Sequence, residues 1–262
     1  MTQRLARAVT LSIFTFSMVL TLMGCATPTF RSPAQFQTSV ERLKTVAFIP
    51  PYVKVYSVTA GGVKEEMEEW SAAARDNLVR ALENQLATNT GFAFSPFKPD
   101  GLLPLPGGQS DWTALDEIRA LYKAVSTSVF LHTYDPNQTF AQKVTSFDYT
   151  LGPQVKGLAE QAKADALLFI DAVDHISTGG RKALMAFGML MGVATGVYVV
   201  PTAGATTISI ALTDGQTGDI LWYNIVGSGG GYDLREEESC AQLVQQLLKD
   251  FPGMPPVRHQ GS

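Results

Sequence analysis

Ala164-Asp165-Ala166-Leu167-Leu168-Phe169-Ile170-Asp171-Ala172-Val173 decides the fold. From Ala166 its apolar character is nearly continuous. A strand that reads this way is covered on both faces, as a central strand of an α/β sheet is. The flanking segments supply the rest. Residues 151–163 read as a short helix running straight into the strand. Beyond it, residues 206–212 and 219–226 alternate apolar and polar, and Asp214-Gly215-Gln216-Thr217-Gly218 supplies turn residues between them, so the pair reads as a hairpin. Residues 236–251 then place Cys240, Leu243, Val244, Leu247, Leu248 and Phe251 on one helical stripe. Cys240 is therefore expected in the core rather than as a reactive thiol.

Toward the N-terminus, Thr45-Val46-Ala47-Phe48-Ile49-Pro50 reads as a buried first strand stopped by Pro50-Pro51, and residues 53–58 as a second extended piece. Residues 65–88 form the clearest helix: Met67, Trp70, Ala74, Leu78, Ala81, Leu82 and Leu86 recur at spacings of three and four. Residues 92–94 read as a strand and 97–109, dense in Pro and Gly, as a loop. Asp111 stands at an N-cap before the amphipathic run Leu115, Ile118, Leu121, Tyr122, Val125. Residues 133–150 are polar and turn-rich. The expected fold is α/β (α+β), a mixed central sheet of about four to six strands flanked by helices.

The chain begins with Arg4 and Arg7, an uncharged apolar run over residues 8–23, and the small residue Gly24. That is the layout of a secretory leader, too short to span a bilayer as a permanent helix. Leu22-Met23-Gly24-Cys25 resembles the bacterial lipobox, which implies cleavage between Gly24 and Cys25 and a covalent lipid on Cys25. The expected organisation is a signal peptide over 1–24, a lipidated tether over 25–43, an α/β periplasmic domain over 44–252 and a flexible tail over 253–262. The tether reading rests on the Thr, Pro, Ser and Gln of residues 26–40, a stretch that extends to roughly 50 Å at about 3.3 Å per residue. Ala26 stands where an Asp often signals inner-membrane retention in such lipoproteins, so the expected location is the periplasmic face of the outer membrane.

Two of the 20 basic residues leave with the leader, so 18 stand against 24 acidic ones and the formal charge moves from −4 to −6. A mildly acidic surface argues against nucleic acid as a partner. With Cys25 lipidated, Cys240 has no partner for an intramolecular disulfide, and the core must supply the stability.

The order of elements, the Ala-Asp-Ala strand and the hairpin Asp214-x-x-Thr217-Gly218-x-x-Leu221-Trp222 are together similar to the periplasmic lipoproteins built like the amino-terminal domain of TolB and the curli secretion channel subunit (CsgG). The likeness covers residues 46–251. It implies scaffolding, assembly or export at the outer membrane by a non-enzymatic, oligomeric protein.

Residues 183–200 carry no charge, with Arg181-Lys182 before them and Pro201 after. Within this apolar Gly-rich segment (183–204), Gly188, Gly192 and Gly196 fall four apart, on one helix face, where they let a second backbone approach closely. Three readings stand: a helix buried against the domain's own sheet, a packing face between copies or with a partner, and insertion into a membrane. Self-association or membrane contact is assigned to these glycines.

Little here points to catalysis. His132, His175 and His259 show no metal-binding spacing. Asp171, Asp174 and His175 end the central strand, where ligand sites of open α/β sheets lie; a small metal or acid/base site there is the lesser reading and a solvated strand end the preferred one. Gly227-Ser228-Gly229-Gly230-Gly231 lacks the Gly-Lys-Ser/Thr of a phosphate loop, and Asp233, Glu236, Glu237 and Glu238 would repel a phosphate. No cofactor beyond the lipid, no metal and no small-molecule substrate is expected. The expected partners are the membrane and either further copies of the chain or another envelope protein. An alternative is a monomeric accessory factor that regulates an envelope enzyme, and a hydrolase built on the strand-end residues is a third.

Overall fold

A computed structural model of the chain describes residues 30–97, 111–195 and 204–255. The leader, Gly24, Cys25 and Gly196 lie outside them. The described elements are α1 (Phe36–Glu41), β1 (Thr45–Phe48), β2 (Tyr52–Val58), β3 (Lys64–Glu66), α2 (Glu68–Leu86), β4 (Ala93–Pro96), α3 (Asp111–Thr133), α4 (Ala141–Thr145), α5 (Val155–Ala162), β5 (Ala166–Ser177), α6 (Gly179–Thr195), β6 (Gly204–Asp214), β7 (Ile220–Ser228) and α7 (Glu237–Leu247).

All seven strands join one mixed sheet organised on β5. Residues 46–48 of β1 pair in parallel with 166–168, and β2 pairs in parallel with 171–177 farther along the same edge. Proline lacks a backbone N–H, so Pro50-Pro51 interrupts what would otherwise be one strand. Outside them, β4 runs parallel to β1 and β3 antiparallel to β2. On the other side of β5, β6 pairs antiparallel from Ala166↔Asp214 to Ile176↔Gly204, and β7 follows antiparallel to β6. The mixed sheet flanked by helices is the expected fold class; the short β3 brings the described strands to seven, above the expected range.

Both faces of β5 are covered at its start, as its composition requires. Leu168, Ile170 and Ala172 face α2 (Leu78, Leu82) and α7 (Leu243, Val244, Leu247). Leu167 and Phe169 face α3 (Leu115, Ile118, Tyr122) and α5 (Val155, Leu158). From Asp171 onward the α3 side of the strand is only half-buried at alternate residues, Asp171, Val173 and His175. There α3 no longer covers the sheet.

The hairpin turn forms as its residues dictate. Asp214 Oδ1 accepts the Gln216 and Thr217 N–H groups, and Gly218 adopts φ +80, where a Cβ would collide with the Gly152 backbone. Trp222 is fully buried between Phe30 and Phe251.

Two expectations change. The stretch read as a tether is docked from Phe30 onward. Arg31 and Tyr223 exchange backbone hydrogen bonds of 2.8 and 2.9 Å, adding a short antiparallel bridge along the free edge of β7. Phe30 stacks on Trp222 at 6.0 Å, and Phe36 and Val40 of α1 pack against the core. Leu43 is buried. The expected tail is likewise pinned at its start, where Gly253 O accepts the Thr90 N–H at 3.0 Å and Met254 meets the core. Residues 256–262 lie outside the described ones.

Candidate functional site

Three features of this frame face outward with unusual chemistry: the docked N-terminal segment, α6, and a cleft beside α3.

The N-terminal segment fixes where a lipid would hold the domain. Besides the β7 bridge, the Arg31 guanidinium donates to Thr133 O at 2.7 Å and lies 4.4 Å from the Tyr134 ring centre. The body is therefore gripped at Phe30-Arg31, five residues after Cys25. Five residues reach roughly 16 Å at about 3.3 Å each, not the roughly 50 Å of a free tether.

Helix α6 leaves β5 through Thr178, whose carbonyl accepts the Lys182 N–H at 3.0 Å. Lys182, Ala183, Leu184, Ala186 and Met189 are exposed, with Leu184 at 43% and Met189 at 52%. The alternative in which this segment is buried against its own sheet does not describe these side chains. Gly188 and Gly192 sit on the helix; Gly196 falls just past the described residues. Among the described residues no helix is long and apolar enough to cross a membrane.

The cleft occupies the part of the sheet that α3 leaves uncovered and has a volume of about 590 Å³, within the range of ligand-holding sites. Its walls are Phe130 and Tyr134 on one side and Val173 and Ile225 on the other. Its floor is a hydroxyl cluster: Ser126 Oγ donates to Ser209 Oγ at 3.0 Å, and Tyr122 and Tyr223 complete the network at 3.0 and 2.8 Å. Burial pushes both phenols up, so they stay neutral. Asp171 lies beside this floor. Its Oδ1 is buried and has no hydrogen-bond partner among the described residues. Burial holds the carboxyl above the ordinary 3.8, an effect partly offset by the nearby Lys123 ammonium. Lys123 also lies over the Tyr52 ring, 5.1 Å from its centre.

A raised carboxyl pKa carries a stability consequence. The folded chain binds the Asp171 proton more tightly than the unfolded chain, so this residue's contribution is fully present below pH 3.8 and is lost as pH rises through the folded value. In the dissociated chain at high dilution, Asp171→Asn, which never ionises, is expected to melt above the parent at pH 7, with the gap closing below pH 3.8. Melting both proteins from pH 3 to 7 checks this; a constant gap or none contradicts it.

The strand-end trio does not form one site. Side chains alternate along a strand, so Asp171 and His175 lie on the cleft face and Asp174 on the α2–α7 face. Asp174 is fully buried and accepts Thr206 Oγ1–H at 2.8 Å and Leu234 N–H at 3.0 Å. It pins the glycine-rich connector to β5 against a desolvation that raises its own pKa. That connector is thus held at Leu234. His175 stacks on Tyr56 at 5.4 Å, and burial together with Lys64 lowers its pKa. His132 meets Tyr149 Oη at 3.0 Å, and His259 lies outside the described residues. Among the described residues no three of His, Cys, Asp or Glu cluster as a metal site would. Burial pushes the Cys240 thiol up to about 12, as suits a core residue.

Sequence reasoning missed the cleft. Its signals were a serine at Ser209 within the apolar run of β6 and another at Ser126 within the amphipathic face of α3, each a hydroxyl in a core position.

No family model matches the chain, and no curated protein matches it. Among solved structures, the chain is similar to the LpoB C-terminal domain from Salmonella enterica, at 13% identity over 71% of this chain and 83% of that one, with a TM-score of 0.25. It is similar to the PelC dodecamer from Paraburkholderia phytofirmans, at 11% identity over 84% and 96%, with a TM-score of 0.32. It is also similar to lipoprotein GNA1162 from Neisseria meningitidis, at 10% identity over 78% and 93%, with a TM-score of 0.29. At such TM-scores, fold and function have to be argued from this chain's own residues.

Proposed function

We propose that this chain is a non-enzymatic lipoprotein, held by lipid on Cys25 at the periplasmic face of the outer membrane, that aids assembly or export of an envelope component as an oligomer joined through α6. The observation that carries the reading is the helix itself. Within an uncharged run with glycines four apart, the helix leaves Leu184 and Met189 exposed, and exposed apolar surface of this kind marks an interaction site. The short reach from Cys25 to Phe30 agrees with it, because copies held close to one surface meet at high effective concentration.

Light scattering of the detergent-extracted protein tests this. The parent is expected as a defined multimer, and Gly192→Leu, which places a bulky side chain on the close-approach face, is expected to lower its mass. A parent that is monomeric contradicts the reading. The cleft favours one other reading, a monomeric accessory factor that captures a segment of an envelope enzyme; it predicts monomers that co-purify with a partner.

A further inference from the structure

Two surfaces of the fold carry complementary chemistry, one of them around the exposed Lys182, whose charge also acts on Asp233 of its own chain. On α6, Lys182, Ala186 and Met189 follow at spacings of four and three and form one stripe, with Met185 and Gly192 beside it. The stripe offers a cation at its start and apolar, closely approachable surface along the next turns. The cleft offers the converse: apolar walls at Phe130, Val173 and Ile225 around the half-buried Asp171 carboxyl, whose inner oxygen Oδ1 has no hydrogen-bond partner among the described residues. A carboxylate held in such apolar surroundings is costly, and an ammonium brought to its exposed side compensates it best. No described residue of α6 lines the cleft of its own chain.

We propose that α6 of one copy docks in the cleft between α3 and β5–β7 of the next, with Met189 among the apolar walls and Lys182 Nζ at Asp171. The proposal rests on the oligomeric reading above and names the two halves of its interface. Because the halves are different patches, the contact is heterologous. It repeats head to tail and closes into a ring or runs on as a filament. Gly192 lets the helix backbone lie close to the cleft mouth, where Thr127 presents a small side chain. Lys123 lies over the Tyr52 ring and acts on Asp171 through its charge, so the incoming ammonium joins it as a second cation at this carboxyl.

The test is a charge exchange in the full-length, lipidated protein in detergent, read by light scattering across a dilution series at low salt. Lys182→Asp and Asp171→Lys are each expected to weaken association at least tenfold. The double variant Asp171→Lys, Lys182→Asp restores the pair in reverse and is expected to return to within about threefold of the parent, an outcome that a general loss of packing would not give. Lys182 is exposed, so Lys182→Asp carries the test by itself if Asp171→Lys fails to fold. A multimeric parent whose association is unchanged by Lys182→Asp overturns the docking and leaves the assembly reading standing. So does a double variant no better than either single one. A monomeric parent overturns both.

Discussion

Exported behind an ordinary cleavable leader, the Cys25→Ser chain is expected in the soluble periplasmic fraction, while the parent stays with the membrane. Each methylene of an acyl chain placed in lipid contributes about 0.8 kcal/mol, and two or more chains together make attachment stable where one would be reversible. Losing them removes many orders of magnitude from the partition between membrane and water. The ordinary leader matters, because an uncut leader would itself hold the chain by its apolar run. If the variant still pellets with membranes, something other than Cys25 holds it, and α6 would be the first segment to delete.

The second large effect falls on Trp222. Trp222→Ala is expected to destabilise the domain by about 3–5 kcal/mol, the range for removing a large aromatic side chain from a core, and to lower its melting temperature by roughly 10 °C. The cost follows from position: Trp222 is fully buried, stacks on Phe30 at 6.0 Å and meets the Phe251 ring at 4.9 Å. It is the meeting point of the N-terminal segment, β7 and the end of the chain's last helical region. Its loss should therefore speed hydrogen exchange at residues 30–43 before the rest of the sheet opens, which lengthens the leash between lipid and domain. Val63→Ala, at a position 65% exposed, is the control, expected within about 0.5 kcal/mol of the parent. A Trp222→Ala melt matching that control contradicts the role given to Trp222.

How much of this the sequence disclosed depends on how local the cause was. The two-sided burial of β5 was legible because Ala166 to Ile170 are apolar in succession, and one covered face would have left alternate positions polar. The hairpin was legible because Asp214 and Gly218 act within five residues. Strand β3 was not: Lys64, Glu65 and Glu66 are all exposed at a sheet edge, and their charges fit the first turn of the helix that follows just as well. The docking of residues 30–43 was hidden by distance. Phe30, Phe36 and Val40 look sparse within a polar stretch until Trp222 and Tyr223, nearly two hundred residues later, supply their partners. Asp171 and Asp174 look like neighbours in sequence, and the pleat sends them to opposite sides of the sheet. The cleft arises only where α3 diverges from β5, a relation between two elements that neither sequence carries alone.

In the proposed function, anchorage, reach and assembly all descend from the sulfur of Cys25. Intact-mass and N-terminal peptide mass spectrometry of the native protein tests that most directly. The account predicts a chain that begins at Cys25 and carries diacylglyceryl on its thiol and an acyl group on its new amino terminus. A chain that retains residues 1–24, or begins elsewhere with a free Cys25 thiol, would contradict it.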